Sequence, residues 1–85
     1  MSTPTQDQLE EALAAAGSAH HEYEQAILDG KRDELWSGFY AAYVLGRLGD
    51  FAAASTLSRW LEAAPNEANW AAAASSYVLS RVEHQ

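Results

Sequence analysis

Cysteine is absent from these 85 residues, which removes disulfide bonds, thiolate metal ligands and catalytic thiols together. Proline occurs only twice, at Pro4 and Pro65, so the long stretch between them can stay helical wherever its apolar pattern asks for it. Cations are scarce: five Lys and Arg stand against twelve Asp and Glu, for a net charge of −7. Nucleic acid is therefore not an expected partner, because phosphate contacts need clustered Lys and Arg. No apolar run approaches the ~18 residues of a membrane span, and the first residues lack the basic and then apolar stretch of a signal peptide. The expectation is a cytoplasmic chain without membrane contact.

What the sequence does contain is alanine and aromatic rings. Three Trp, four Tyr and two Phe supply large buried areas, and the alanines let helices approach one another closely. A chain of this length makes one domain, and it buries only about 60% of the surface its unfolded form exposes, so its core must be dense or shared. The acids are concentrated early. Residues 1–40 carry Asp7, Glu10, Glu11, Glu22, Glu24, Asp29, Asp33 and Glu34 against Lys31 and Arg32, an excess that suits a solvated helix face or a basic macromolecular surface.

Periodicity and punctuation predict an all-α, compact four-helix domain spanning residues 1–85, with helices at about 5–29, 34–48, 51–63 and 67–82. Thr3 or Thr5 caps the first, with Gln6 or Gln8 to complete a capping box, and Gly30 stops it. Its inward stripe reads Leu9, Leu13, Ala16, His20, Tyr23 and Ile27, with Gly17 beside it as a point of close backbone approach. Asp33 is placed to cap the second helix, which is apolar on two adjoining faces and so is expected to be central and most buried. Asp50 is placed to cap the third helix, whose inward residues are Phe51, Ala54, Leu57, Trp60 and Leu61. Asn66 or Asn69 begins the fourth, with Trp70, Ala74, Tyr77, Val78 and Val82 inward.

At an offset of 34 residues, Trp36, Tyr43, Val44, Leu45 and Arg47 match Trp70, Tyr77, Val78, Leu79 and Arg81. This implies two related helical hairpins. The period is weakly similar to tetratricopeptide repeats, but stable stacks of those need three units, so a compact bundle is the expected form.

Chemistry, if present, is expected between helices 1 and 2. His20 and Glu24 are one turn apart and share a face, and His20 falls in the inward stripe. Tyr23, Trp36, Tyr40 and Tyr43 could wall a pocket in which His20 acts as acid or base with Glu24 orienting it. The same aromatic residues at helical spacing are more often just core, with one hydrogen-bonded structural histidine. No metal site is expected, since His21 and Glu22 point away from His20 and Glu24 and no second His stands at metal-binding spacing. The serines lie inside helical patterns, without the strand-turn-helix setting of a hydrolase nucleophile. No cofactor is implied.

The stretch His20, Tyr23, Glu24, Asp33, Trp36, Tyr40, Ala41 and Tyr43 resembles a small all-helical module that carries His-x-x-Tyr-Glu followed by Asp-x-x-Trp-Pro-x-Trp-Tyr-Ala-x-Tyr. The resemblance covers about residues 9–64. It implies the helical fold and carries no assigned activity. Ser37 departs from the pattern's Pro and Phe39 from its second Trp. Without a complete catalytic set, the leading expectation is a non-enzymatic interaction or structural module, homodimeric or bound to another protein. A small-molecule-binding protein or small enzyme using His20 is the alternative, and an acidic protein on a basic macromolecular surface is the third.

Overall fold

Thr5 opens the first helix: its hydroxyl accepts from the Gln8 N–H at 3.1 Å, and the Gln8 side chain accepts from the Thr5 N–H at 2.9 Å. This reciprocal capping box satisfies two backbone donors that a helix start leaves unpaired. The computed structural model describes residues 3–31 and 33–83, and within them lie four helices: α1 (Gln6–Ala26), α2 (Trp36–Leu48), α3 (Ala54–Ala63) and α4 (Trp70–Glu83). The all-α four-helix domain is thus the observed fold. None of its helices is long and apolar enough to cross a membrane.

The helices form a ring. α1 packs on α2 and α4, and α3 packs on the same two from the other side. Leu9, Leu13, Val44, Leu57, Leu61 and Val78 meet at the centre, with Ala12, Ala16, Ala41 and Ala74 letting the helices close around them. The 34-residue correspondence has a spatial counterpart. Val44 and Val78 are both fully buried, Arg47 and Arg81 both lie in last turns, and the rings of Trp36 and Trp70 touch at 5.8 Å.

Several local expectations are corrected. α2 is not central: in a ring every helix keeps an outer side, and Gly38, Ala42 and Gly46 of α2 are exposed. α1 stops at Ala26, and the turn runs on to Gly30, whose N–H reaches the Glu24 carbonyl at 2.8 Å with Asp29 at φ 54°. At 21 residues α1 is about 31 Å long, overhanging the 13-residue α2, so Tyr23 and Ile27 at its end are exposed rather than inward. α3 begins at Ala54, after a bend at Phe51 and Ala52. Its cap position is Ala53 without a side-chain bond, so Asp50 does not cap it and Ala54 is exposed. α2 likewise begins at Trp36 behind Leu35, not at Asp33. Asn69 does serve α4, accepting from the Ala72 N–H at 3.4 Å. At Gly17 the close neighbour is a side chain, the Tyr40 hydroxyl, which lies 3.3 Å from where a Cβ would stand.

Candidate functional site

Beyond the turn that ends at Gly30, Asp33 comes against His20. Asp33 Oδ2 accepts from His20 Nε2 at 2.9 Å. An ionised carboxylate only accepts, so Nε2 carries a proton. The other oxygen, Oδ1, accepts from the Leu35 N–H at 2.9 Å, and the Asp33 N–H donates to Glu24 Oε2 at 3.0 Å. On the opposite edge of the imidazole, Nδ1 lies 3.7 Å from Glu24 Oε1, a contact that becomes an ion pair when the ring carries both protons. Four contacts among three side chains and a turn thereby tie the end of α1 to the approach to α2.

The electrostatics follow from these bonds. The His20 hydrogen bond, and after it the Leu35 N–H, hold the Asp33 carboxyl below the ordinary carboxylate value, against a smaller opposing effect of burial. Burial, with the Glu24 carboxylate second, pushes the Tyr40 hydroxyl above its ordinary value, so it stays protonated. The two carboxylates stand at opposite edges of the imidazole. They do not converge on a common point, and no group of three or more metal-binding side chains forms among the described residues.

The six residues singled out from sequence separate into groups. His20, Tyr23, Glu24 and Tyr40 stay together, with the His20 ring 5.4 Å from Tyr40 and 6.4 Å from Tyr23. Trp36 instead turns to a three-ring cluster: Trp36, Tyr40 and Trp70 meet edge to face at 5.5–5.8 Å, close enough to fill their own space. Tyr43 lies farther along α2, stacked on Phe39. Two participants were not anticipated. Phe39 is the ring nearest His20, edge-on at 5.0 Å, and Asp33 is its hydrogen-bond partner.

The rings pack closely around the imidazole. His20 is 7% exposed, both its nitrogens face carboxylates, and Phe39 and Tyr40 pack on its ring. Two open hollows lie elsewhere: about 640 Å³ beside the start of α4, at Pro65, Asn69, Ala72, Ser76 and Tyr77, and about 360 Å³ on α1 at Asp7, Glu10, Glu11 and Ala14. Just beyond the end of α1 and just before the start of α2, apolar side chains are exposed. Leu35 is 78% and Ile27 65% exposed, each one turn from a member of the Tyr23–Phe39 ring contact.

A second polar clasp joins α2 to α3. The Ser58 hydroxyl donates to Ser37 Oγ, and the Ser37 hydroxyl donates to Glu62 Oε2, both at 2.8 Å. Ser37 thus bonds to the neighbouring helix.

No family model, curated protein or solved structure matches the chain.

Proposed function

We propose that this chain is a non-enzymatic helical interaction module that engages another protein chain through the outer corner of α1 and α2. One observation carries the reading: among the described residues, Leu35, Ile27 and Tyr23 are the large apolar side chains left exposed, and Ile27 and Leu35 each stand one turn from the Tyr23–Phe39 contact where α1 meets α2. Scattered exposed apolar residues need no explanation, but a contiguous group on a small domain marks a contact surface. The histidine cluster beneath supports the same reading. With its nitrogens engaged, His20 fixes the turn that carries Leu35 rather than facing a substrate.

The test combines sedimentation equilibrium of the full chain with affinity capture and identification of what is retained. Self-association or a specific retained protein is expected, and either should weaken when Ile27→Lys and Leu35→Lys are combined, since both side chains are exposed and lie outside the core. A strict monomer at high micromolar concentration that retains nothing would refute the reading.

A second reading rests on the α1 outer face, where Asp7, Glu10 and Glu11 line a shallow hollow. There the occupant would be a basic macromolecular surface. Binding through those acids should fall steeply with added salt, whereas binding through the apolar corner should not.

A further inference from the structure

We propose that the corner between the end of α1 and the start of α2 docks an amphipathic helix of another protein, one whose apolar face is bordered by Lys and Arg. This rests on the interaction reading above and adds the chemistry of the partner.

The corner is a ridge built from two elements. On α1, Ala19, Tyr23, Ala26 and Ile27 share a face at helical spacing. Ile27, at the cap position, keeps right-handed helical dihedrals, so the row runs straight off the end of the helix. Tyr23, Ala26 and Ile27 are exposed along it. From the α2 side, the Phe39 ring meets that of Tyr23 at 5.4 Å, and the exposed Leu35 lies one turn before Phe39, whose N–H donates to the Leu35 carbonyl at 3.4 Å. With 21 residues in α1 against 13 in α2, the last turns of α1 have no matching length of α2 beside them. Neither of the two hollows reaches these residues. A row of apolar side chains at helical spacing is the surface that packing against another helix requires, and helical backbone gives an extended peptide no edge to join.

Charge chooses between a second copy and a different chain. Residues 20–35 hold Glu22, Glu24, Asp29, Asp33 and Glu34 against Lys31 and Arg32, a net charge of −3 with His20 and His21 neutral. The other helices do not offset it. α3 carries Arg59 and Glu62 and α4 carries Arg81 and Glu83, one charge of each sign in either case, and Arg47 of α2 is held at the far end of that helix by Glu11. Two such corners brought face to face would set acid against acid. A helix with Lys and Arg along the borders of its apolar face instead meets the acids while covering Tyr23, Ile27 and Leu35. Complementary charge selects the partner, and the apolar anchors supply most of the affinity.

The test titrates two synthetic amphipathic helices of about 18 residues into the isotope-labelled full chain, one with Leu on one face and Lys on the rest, the other with Glu in place of Lys. The Lys peptide should saturate and shift the amide resonances of Tyr23, Ile27 and Leu35, and the Glu peptide should not bind. Ile27→Ser with Leu35→Ser should weaken the Lys peptide by at least about tenfold. Glu22→Gln with Asp29→Asn, both exposed, should weaken it about threefold to tenfold. Asp7→Asn with Glu10→Gln removes as much charge at the other end of α1 and should change it by less than about twofold. A Glu peptide that binds the same residues as tightly, a Lys-peptide footprint on Asp7 and Glu10 instead of the corner, or no saturable binding of either peptide would overturn the basic-helix partner. If the chain then still self-associates, or retains another protein, through Ile27 and Leu35, the interaction reading stands with a different occupant; if it does neither, both fall.

Discussion

Asp33 joins three neighbours at once: its carboxylate accepts from His20 and the Leu35 N–H while its main-chain N–H donates to Glu24. Its carboxyl is held below the ordinary value, so the folded state binds that proton less readily than the unfolded chain does. The stabilisation is thus complete above the unfolded carboxylate range near ~3.9 and is lost as pH falls through the lower folded value. Denaturant titrations from neutral to strongly acidic pH should show this decline, and Asp33→Asn should flatten its share of it. His20→Ala should cost about 1–3 kcal/mol at neutral pH by the same measurement, because it removes a buried donor and leaves its partners unmatched. Ser37→Ala removes the middle of the Ser58–Ser37–Glu62 chain, and urea midpoints should report a loss of about 0.5–1.5 kcal/mol. None of these pairings follows from periodicity. His20 and Glu24 can be paired from their spacing alone, but Asp33 reaches His20 only because the turn at Asp29 and Gly30 reverses the chain, and that turn has no repeat to announce it.

Among the elements, α1 and α4 were the more legible, because each begins with a side chain whose chemistry is local: the Thr5–Gln8 box and the Asn69 cap. α2 and α3 start at Trp36 and Ala54, behind Leu35 and Ala53, which offer no side-chain acceptor, so their starts are set by tertiary packing and bends. Asp33 and Asp50 were reasonable caps by residue type. Asp33 was taken instead by His20 and the Leu35 N–H, and the chain bends after Asp50 before helix forms. The burial of α2 was also overread, since an apolar sequence states what a helix prefers and not whether its own chain supplies the cover. Gly46 makes this measurable. In dilute solution, where one chain stands alone, Gly46→Ala should raise stability by roughly 0.5–1 kcal/mol in thermal unfolding, because the exposed site has room for a methyl group.

For the whole molecule, a core of seven Leu and Val side chains among small alanines is a modest source of stability for 85 residues. If copies associate through the exposed corner, the melting temperature should rise with protein concentration in scans from low to high micromolar, because association stabilises by mass action. A melting temperature independent of concentration across that range would count against pairing. The ring architecture also closes on itself: Gln6 donates to the Ala72 carbonyl at 3.2 Å and accepts from the Ser76 hydroxyl at 3.3 Å, stitching the first helix to the last. The contact between Trp36 and Trp70 has a further use. These indoles belong to the two different hairpins and touch across the diagonal between α2 and α4. Their near-ultraviolet circular dichroism is therefore an optical gauge built into the fold, reporting whether the halves are docked independently of whether the helices exist. A condition that erases this signal and spares the far-ultraviolet one would identify a state of formed but unmated hairpins.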